Sequence, residues 1–411
     1  MAKLKVLNVG PIRSGFNESN GFLEFSDVTI FIGNQGSGKS TMAKLYSTLS
    51  WIEKALVRED FTDKYVVLYN RFKKHLAYQN LGNYLNQNSF IEYVGNAFRL
   101  VFENNQFQVF PLSQNKGYHF PKIMYVPAER NFVSAIDRPD LVKRLPLPLY
   151  TFMDEYEDAK QQLDGQVQLP VGEVSFEYRK QSKKSYLIGA DYHIELLEAS
   201  SGFQSMVPLV LVTRHLSNVI KNRANETRKK ISLEEEEKIR RAVNKMVSDE
   251  TISEDVLRVL LEKLSAKYRY ESFINVVEEP EQNLYPTSQK EVLFDLLKYR
   301  NGHPNNKLII TTHSPYIINF ISIAIQGAYL KSKIEQSPNA DQLLTKLHQI
   351  VGPDSLISGE NVLIYQFEEA DGSIRKLPTF DGIPSDNNLL NQMLAEGNTM
   401  FDALLEIEQE L

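Results

Sequence analysis

Short apolar runs that end at glycine or at polar residues recur along the chain and predict the strands of a sheet. They are Leu4–Val9, Phe22–Ile32, Lys122–Val126, Phe273–Val277 and Lys307–Thr311. Runs that are apolar throughout are typical of strands covered on both faces, as parallel strands usually are. Apolar residues recur at helical spacing in four other segments: Met42–Leu56, Phe203–Lys221, Thr287–Tyr299 and Tyr316–Leu330. Strands and helices in this order predict an α/β fold with a mixed sheet and flanking helices.

The strongly charged segment 223–267 is predicted to be helical. Ser232 is followed by Glu235, and Thr251 is followed by Glu254, so each pair fits the capping box that begins a helix. The charges in this segment are of mixed sign, which indicates a solvated helical face rather than a surface that grips DNA.

We divide the chain into a head, residues 1–335, and a small α+β extension, residues 336–411. The head is expected to carry a helical or irregular insertion at about 57–120 and a helical insertion at about 222–270. The extension is expected to contain a helix at Asp341–Ile350, a hairpin at Val362–Leu377 and two terminal helices that meet at Gly397 and Asn398. The apolar faces of the terminal helices predict a docking surface for a partner, unless the head itself covers them.

Composition excludes several classes of protein. Lys and Arg number 46 and Asp and Glu number 52 in 411 residues, so the net charge is −6. This mild acidity argues against a protein that coats nucleic acid over its whole surface. The absence of cysteine excludes disulfides, cysteine-ligated zinc and cysteine nucleophiles. The N-terminus has no apolar signal region and no segment is long enough to span a bilayer, so we expect a cytoplasmic protein.

The strongest functional motif is a glycine-rich turn between a predicted strand and a predicted helix. It reads Gly33-x-x-x-x-Gly38-Lys39-Ser40, the pattern of a phosphate-binding P-loop. Glycines let successive backbone N–H groups turn toward a phosphate, and the start of the helix adds its positive end. Lys39 can reach the β- and γ-phosphates of ATP, and the Ser40 hydroxyl can ligate Mg²⁺. The expected nucleotide-binding residues are Gly33, Asn34, Gln35, Gly36, Ser37, Gly38, Lys39, Ser40 and Thr41.

Two further predicted strands end in polar residues. Glu278 and Glu279 end the first, where one carboxylate can hold Mg²⁺ and the next can orient or deprotonate an attacking water. His313 ends the second strand, in the sequence Thr-His-Ser-Pro, and it is a candidate sensor of the γ-phosphate. Parallel strands bring their carboxyl ends to the same edge of a sheet, which is where ligands bind.

A Ser-Ser-Gly-Phe-Gln-Ser turn at 200–205 precedes the helix predicted at Phe203–Lys221. A helix N-terminus with serine hydroxyls can receive an anion, although the turn alone is a weak signal. With this turn included, the four motifs in their order resemble the ABC-type ATPase heads of the SMC, RecF and OLD group. They are most similar to the small ATP-binding proteins of bacterial antiphage systems such as Septu, PARIS and the retron-associated ATPases.

This resemblance implies roles for the motif residues. Lys39 and Ser40 would form the Walker A motif, Glu278 would stand in the usual Asp position of Walker B, Glu279 would be the catalytic carboxylate, and His313 the switch histidine. Ser201, Gly202 and Gln204 would form the signature that meets the nucleotide of a partner subunit, in a homodimer or a higher even oligomer. Phe203 departs from the usual second glycine of that signature. The Q-loop has no obvious glutamine after its strand: Tyr125-Val-Pro-Ala-Glu129-Arg130 occupies the expected place, and no role is assigned to Glu129 or Arg130.

The expected function is a Mg²⁺-dependent ATPase switch that controls a separate effector protein, a nuclease or toxin, in antiviral defence. A head of a DNA-repair or chromosome-maintenance complex and a non-nuclease, DNA-binding relative of the OLD nucleases are the alternatives. A transporter subunit fits worst, because 77 positions separate Ser201 from Glu278. A predicted hairpin, Val174–Tyr178 with Tyr186–Leu197, carries Arg179, Lys180, Lys183 and Lys184 at its tip. These residues leave nucleic-acid binding open, with a solubilising tip as the alternative.

Overall fold

A mixed seven-stranded sheet forms the centre of the computed structural model, which describes residues 1–60, 63–68, 70–112, 118–136, 145–225, 243 and 270–409. In spatial order its strands are β2 (Gly15–Phe16), β16 (Ser373–Lys376), β15 (Val362–Phe367), β4 (Val28–Gly33), β14 (Lys307–Thr312), β13 (Ser272–Glu278) and β8 (Pro121–Val126). The five strands from β15 to β8 are parallel to one another. Their carboxyl ends therefore share one edge of the sheet.

Each face of this sheet is covered by its own apolar core, because successive side chains of a strand point to opposite faces. In β4, Val28, Ile30 and Ile32 belong to one core, while Phe31 belongs to the other. Helix α1 (Lys39–Val57) fills the second core and is buried along most of its length. The predicted α/β fold, with a mixed sheet and flanking helices, is confirmed.

An antiparallel sheet covers the outer side of α1. In spatial order it contains β3 (Leu23–Glu24), β1 (Lys3–Val9), β5 (Leu85–Val94), β6 (Phe98–Glu103) and β7 (Gln106–Pro111). Two short helices, α2 (Asp63–Val66) and α3 (Arg71–Tyr78), precede it. The prediction of a helical or irregular segment at 57–120 is therefore wrong for β5, β6 and β7. Asn104 and Asn105 both have positive φ, the conformation of a tight type I′ hairpin turn, and this Asn-Asn pair was the signal that pattern reading missed.

A four-stranded antiparallel sheet lies beside the opposite face of the centre. Its strands are β12 (His193–Glu195), β11 (Lys184–Ile188), β10 (Ser175–Arg179) and β9 (Gln166–Gln168). β10 and β11 form the predicted hairpin, and helices α4 (Phe132–Ala135) and α5 (Leu147–Gln161) precede the sheet. The basic tip is partly neutralised, since Arg179 pairs with Glu177 and Lys184 pairs with Glu195.

The remaining helices, all but the last, follow the sequence prediction closely, with ends that differ by a few residues. They are α6 (Ser201–Asn225), α7 (Pro286–Asn301), α8 (Pro315–Ile334), α9 (Ala340–Ile350) and α10 (Leu389–Gln409). Short strands β17 (Thr379–Phe380) and β18 (Ile383–Pro384) pair before the last helix. The capping boxes at Ser232 and Thr251 lie outside the described residues. Among the described residues, no helix is long and apolar enough to cross a membrane.

The C-terminal region contains the predicted hairpin, since β15 pairs antiparallel with β16. The hairpin is part of the central sheet, because β15 also pairs in parallel with β4, and all six residues of β15 are buried. Its sequence, VLIYQF, is a continuous run of the kind that a strand covered on both faces requires. The helix stop predicted at Gly397 is wrong, because α10 continues through Gly397 and Asn398. A helix-interior glycine costs only about 1 kcal/mol, which the Met, Leu, Ala and Glu residues around it tolerate.

Candidate active site

The loop between β4 and α1 has the backbone of a phosphate-binding turn. Gly33, Gly36 and Gly38 adopt positive φ angles of 147°, 78° and 107°, a region that L-residues rarely enter. Gly38 directly precedes α1, so the loop leads into a helix N-terminus. A Cβ atom at Gly33 would lie 2.5 Å from the carbonyl oxygen of Phe367 in β15, and one at Gly38 would lie 2.7 Å from Ile12 Cγ1. Both glycines are therefore required by close packing as well as by conformation.

The side chain of Lys39 is folded back over this loop. Its Nζ donates hydrogen bonds to the carbonyl oxygens of Gly33 at 2.8 Å and Asn34 at 2.7 Å. Burial lowers the pKa of Lys39 to about 8, against the opposing charges of Glu279, Glu281 and Glu278. The ammonium is thus desolvated and held by neutral acceptors that an anionic phosphate can replace.

The other predicted loop residues differ in their exposure to solvent. Asn34, Gln35 and Gly36 are exposed, whereas Ser37 and Thr41 are buried and Ser40 is half-buried at the first turn of α1. Ser37 Oγ donates to the Asn34 carbonyl oxygen at 2.8 Å, which closes the loop on itself.

Glu278 is the last residue of β13, and its side chain is buried. One carboxylate oxygen, Oε2, accepts a long hydrogen bond of 3.4 Å from the backbone N–H of Ala128. The other, Oε1, has no hydrogen bond of acceptable geometry among the described residues, although the Tyr125 hydroxyl lies near enough to interact with the carboxylate. A buried carboxylate oxygen without a partner costs free energy unless a cation or a donor is supplied. The buried Oε1 of Glu278 therefore fits a ligand of Mg²⁺.

Glu279 follows with a strained backbone, since its φ angle is 44°. Its N–H donates to the carbonyl oxygen of Thr311 at 2.8 Å and its own carbonyl oxygen accepts from Arg130 Nη2 at 2.6 Å. These two bonds hold the left-handed conformation and turn the side chain away from the strand direction. Burial and the adjacent Glu278 raise the pKa of Glu279, while Arg130 and Lys39 oppose the rise. Positive φ in a non-glycine residue is often found where geometry serves function.

His313 lies beside Glu279 at the end of β14. Its Nε2 is 3.6 Å from Glu279 Oε1, an ion-pair distance if the imidazole is protonated but too long for a direct hydrogen bond. Burial lowers the pKa of His313, and the charge of Lys39 lowers it further, so the ring is neutral at neutral pH. The backbone N–H of His313 donates to Glu281 Oε1 at 2.7 Å. Glu281, which was not predicted to take part, thereby positions the histidine backbone.

A second residue that the motifs did not identify joins the parts of the site. Arg130 is fully buried, and its guanidinium donates four hydrogen bonds to backbone carbonyl oxygens. Two acceptors are Glu278 and Glu279, at 2.6 Å each, and a third is Ser205 in α6, at 3.2 Å. Arg130 therefore ties the end of β13 to the helix that carries the signature residues. Its position in the Q-loop equivalent was a weak sequence signal for this role.

The signature residues begin α6 and pack against the segment after β13. Ser201 is exposed, whereas Gly202 is buried so closely that a Cβ atom would lie 2.8 Å from the carbonyl oxygen of Asn283. Ser205 Oγ donates to Gln282 Oε1 at 3.2 Å. Gln204 Nε2 donates back to the Leu197 carbonyl oxygen at 2.9 Å. The start of α6 is thus fixed to the segment that follows the two carboxylates.

The structure therefore brings Lys39, Glu278, Glu279 and His313 to the carboxyl edge of the parallel strands, as predicted. The glycines of the loop form a backbone cradle suited to phosphates, and Ser40 with Glu278 offers the hard oxygen ligands that Mg²⁺ prefers. Ser201 and Gly202 lie on a separate element, attached to this edge through Arg130, Gln282 and Asn283.

Comparison with known proteins supports an ATPase domain. A family model described as an AAA ATPase domain matches residues 251–318, a span that includes Glu278, Glu279 and His313. No curated protein matches the chain.

The solved structures to which this chain is similar include three SMC heads. The SMC head domain from Thermotoga maritima has 12% identity and a TM-score of 0.35, covering 92% of this chain and 98% of that chain. An SMC head bound to the C-terminal winged-helix domain of ScpA has 8% identity and a TM-score of 0.37, covering 91% and 96%. An SMC head with an extended coiled coil, bound to the C-terminal domain of ScpA derived from Pyrococcus furiosus, has 8% identity and a TM-score of 0.35, covering 97% and 100%. The strand order of the central sheet by itself shows the α/β architecture.

Proposed function

We propose that this protein is a Mg²⁺-dependent ATPase of the ABC type. The observation that carries the proposal is the meeting of the P-loop with a pair of carboxylates and a histidine. Glu279 lies 3.6 Å from His313, and both carboxylates of the pair act on the charge of Lys39. A cation for phosphates, a candidate general base and a metal-binding carboxylate are the parts that phosphoryl transfer to water requires.

Different residues would bind the phosphates and the magnesium ion. The loop N–H groups and Lys39 bind the phosphates, and the ammonium exchanges two neutral carbonyl acceptors for charged oxygens. Ser40 and Glu278 would hold Mg²⁺, which when bound neutralises charge on the β- and γ-phosphates. The buried Oε1 of Glu278 supports that assignment.

Glu279 is the residue suited to accept a proton from water. Its raised pKa makes the carboxylate a stronger base than an ordinary glutamate, and its backbone is fixed on both sides by hydrogen bonds. His313, neutral at neutral pH, can donate one hydrogen bond to the transferred group or orient the water without adding a charge.

Replacement of the base tests this assignment. Glu279→Gln retains the shape and removes the basic oxygen, so ATP should still bind while turnover falls about 10²–10⁴-fold. Phosphate release measures turnover, and binding of a fluorescent ATP analogue shows that the site is intact. Glu360→Gln, an exposed glutamate remote from the motifs in sequence, is the matched control and should retain full turnover. Normal turnover in Glu279→Gln would refute the role of Glu279.

We also propose that ATP closes a homodimer in which each signature meets the partner's nucleotide. Ser201 supports this because it is exposed at the N-terminus of α6, where a helix presents N–H groups to an anion. Arg130 would transmit the closure of the dimer from α6 to the catalytic carboxylates, because it connects α6 to the backbone carbonyl groups of Glu278 and Glu279.

Mixed dimers test this arrangement. Ser201→Arg should block closure and Lys39→Ala should prevent nucleotide binding, so each protein alone should be inactive. A heterodimer of the two contains one site with an intact P-loop and an intact signature. We expect up to half of the wild-type activity per heterodimer, measured after isolation with two affinity tags. Isolated heterodimers that stay inactive, although each chain is folded, would exclude catalysis in trans.

We further propose that α10 docks the effector. Seven of its large apolar side chains are exposed: Met393, Leu394, Met400, Phe401, Leu404, Leu405 and Ile407. Leu390, Met393, Gly397, Met400, Leu404 and Ile407 follow alternating three- and four-residue steps, the spacing of a helix-pairing seam. The helix carries four carboxylates and no Lys or Arg between residues 389 and 409, so a second copy would repel it. A basic amphipathic helix of another protein fits this face.

Phe401→Asp together with Leu405→Asp tests the docking face. Both side chains are exposed, at 61% and 40%, so the fold and the ATPase activity should be unaffected. The protein purified from its native cells should lose the effector, a nuclease or toxin in the cytoplasmic antiviral system that we infer from the motif resemblance. Asp402→Asn is the control, since it alters the same helix without removing any of its exposed apolar side chains. An unfolded double variant would show instead that this face is covered by its own chain.

A further inference from the structure

The segment 279–284, here called the connecting turn, follows β13 and contacts both the signature helix and the end of β14. Two backbone hydrogen bonds close it on itself. Gln282 N–H donates to the Glu279 carbonyl oxygen at 3.0 Å, and Leu284 N–H donates to the Glu281 carbonyl oxygen at 3.0 Å. Because the two bonds overlap along the chain, a shift at one end of the connecting turn moves the residues at the other end.

One side of the connecting turn packs against the start of α6. Ser205 Oγ donates to Gln282 Oε1 at 3.2 Å. A Cβ atom at Gly202 would lie 2.8 Å from the carbonyl oxygen of Asn283 and 3.4 Å from Leu284 Cδ2. No side chain larger than that of glycine therefore fits at this contact unless the turn moves. A displacement of the signature residues reaches the connecting turn directly.

On its other side, Glu281 attaches the connecting turn to the end of β14. Glu281 Oε1 accepts the backbone N–H of His313 at 2.7 Å. Glu281 Oε2 is shielded from solvent and has no hydrogen bond of acceptable geometry among the described residues, although the Thr312 hydroxyl lies near enough to interact with the carboxylate. Burial raises the pKa of Glu281, and the N–H of His313 opposes the rise. Glu281 thus holds the backbone of the histidine from the side of the connecting turn.

The place of the imidazole depends on this backbone. His313 Nε2 is 3.6 Å from Glu279 Oε1, and the ring also interacts with the backbone of Gly33 in the P-loop. The ring therefore lies between the candidate base and the phosphate-binding loop. A change in the direction of the His313 backbone would move the ring relative to both.

A second connection joins the connecting turn to the residue after His313. Gln289 Nε2 donates to the Leu284 carbonyl oxygen at 2.9 Å, and Ser314 Oγ donates to Gln289 Oε1 at 2.6 Å. Gln289 and Ser314 are both buried. This connection ends at Ser314, whereas the bond from Glu281 ends at His313 itself.

We propose that Glu281 is a positioning residue that sets the imidazole of His313 in response to the signature residues. The proposal rests on the proposed ATPase function, in which the signature meets the nucleotide of a partner subunit. Coupling between two parts of a protein is carried by packed groups and hydrogen bonds of this kind. An engaged signature would move the connecting turn, and Glu281 would then move His313 relative to Glu279. The histidine would thus be placed for hydrolysis when the signature is engaged.

The charge of Glu281 gives it an alternative role as a counter-charge. Of the charges that oppose the lowered pKa of Arg130, that of Glu281 is the largest, and Glu281 also acts on Lys39. A counter-charge needs the carboxylate to be ionised, whereas positioning needs an acceptor oxygen at the right distance from the N–H of His313. The two roles therefore predict opposite effects for two conservative substitutions.

These two substitutions are compared in the full-length protein. Glu281→Gln keeps the length of the side chain and an acceptor oxygen but removes the charge. Glu281→Asp keeps the charge and is shorter by a methylene, so the N–H of His313 loses its acceptor. We expect Glu281→Gln to retain turnover and Glu281→Asp to lower kcat about 10- to 100-fold with KM unchanged, because a slightly misplaced catalytic group costs about that much. Lost turnover in a folded Glu281→Gln protein, or normal turnover in Glu281→Asp, would overturn the inference.

A double-mutant cycle shows whether Glu281 acts through His313. If it does, Glu281→Asp should have no further effect in a protein that already carries His313→Ala. Glu53→Asp is the matched control, because Glu53 is another buried carboxylate that accepts backbone N–H groups, those of Ala97 and Phe98, outside the site. It should lower the melting temperature and leave kcat intact. Additive losses for Glu281→Asp and His313→Ala would overturn the positioning role.

The link to the signature is tested without ATP hydrolysis, by NMR of the full-length protein with isotope-labelled histidine. The His313 signal is identified by its loss in His313→Ala. Gly202→Ala places a Cβ atom 2.8 Å from the carbonyl oxygen of Asn283, so it should shift the His313 signal, and Glu281→Asp in the same protein should remove most of the shift. Gly397→Ala, where a Cβ atom meets nothing within 4 Å, is the matched control and should leave the signal unchanged.

Two results of the NMR experiment would overturn the inference. An unmoved His313 signal in Gly202→Ala would show that the signature does not reach the histidine. A shift of full size in the protein that also carries Glu281→Asp would assign the link to Gln289. Since this measurement needs no hydrolysis, it decides the role of Glu281 even if the protein does not hydrolyse ATP, and failure of the proposed function is thereby distinguished from failure of the inference.

Discussion

The P-loop and the junction between β13 and α6 each contain a buried cation, and the two cations are held in different ways. Lys39 contacts two carbonyl oxygens of a short loop, whereas Arg130 contacts four carbonyl oxygens from three separate segments. Burial lowers the pKa of Lys39 to about 8 and that of Arg130 to about 10, with nearby carboxylates opposing both shifts. Both remain protonated at neutral pH, but only Lys39 approaches its titration range.

The difference follows from the two functional groups. A guanidinium presents several donors in a rigid plane, so it can join segments that must keep a fixed relation. An ammonium on a flexible stem can leave its acceptors when a better anion arrives. The fixed cation thus holds Glu278 and Glu279 in place through their carbonyl oxygens, and the movable cation is the one that would meet a phosphate under the proposed function.

The largest expected effect is a difference in stability between two single variants, in which methionine replaces either Arg130 or Lys39. Arg130→Met leaves four carbonyl oxygens without a donor, and it should lower the free energy of unfolding by about 3–5 kcal/mol. Lys39→Met removes a desolvated charge from a flexible loop and should leave that free energy unchanged within about 1 kcal/mol. Denaturant titration followed by circular dichroism measures both. Equal losses of stability would contradict the distinction between the two cations.

The second effect concerns the ligand. Lys39→Met should weaken binding of a non-hydrolysable ATP analogue about 10- to 100-fold, because a charge-assisted contact contributes about 1.5–3 kcal/mol. Arg130→Lys keeps a charge but loses the planar donors, so it should retain nucleotide binding better than it retains turnover. Tight binding by Lys39→Met would show that the ammonium does not reach the phosphates.

The smallest effect is a dependence on pH. Phosphate raises the pKa of the lysine that binds it, so affinity should be constant below about pH 8 and should fall by up to tenfold per unit above it. Affinity falls above this pH because Lys39 of the free protein loses the proton that the bound state requires. Lys39→Arg, which stays charged, should show a flat profile over the same range. A flat profile in the wild-type protein would mean that Lys39 is not the titrating group.

The grouping of Lys39, Glu278, Glu279 and His313 at one edge of the sheet could be predicted from the sequence because each of its parts is local. A P-loop, a strand that ends in two glutamates and a strand that ends in histidine are short patterns, and the parallel-sheet rule places them together. Arg130 could not be assigned in this way. Its role depends on contacts with Glu278 and Ser205, which are 148 and 75 residues away.

The errors have a common physical origin. β5 has three exposed polar residues near its start, and its buried positions then alternate with half-buried ones, so it lacks the continuous apolar run that marks the central strands. Gly397 was given the meaning of a helix stop from its identity alone, although an isolated glycine can be accommodated inside a helix. The positive charge of the hairpin tip could be predicted from the sequence. Its partial neutralisation could not, because the partners Glu177 and Glu195 lie in the strands and not in the tip.

The pairing of β15 with β4 has a consequence for the order in which the protein is made. Val28 pairs with Val362, so one edge of the strand that leads into the P-loop waits for a segment near the end of the chain. At about 5–20 residues per second, a ribosome needs roughly 15 to 65 seconds to reach that segment. During this interval the backbone N–H and C=O groups along that edge have no strand beside them, and long-range pairing of this kind is slow to form. The nascent chain therefore completes the strand that leads into the P-loop late, and one edge of β4 stays unpaired until β15 has been made.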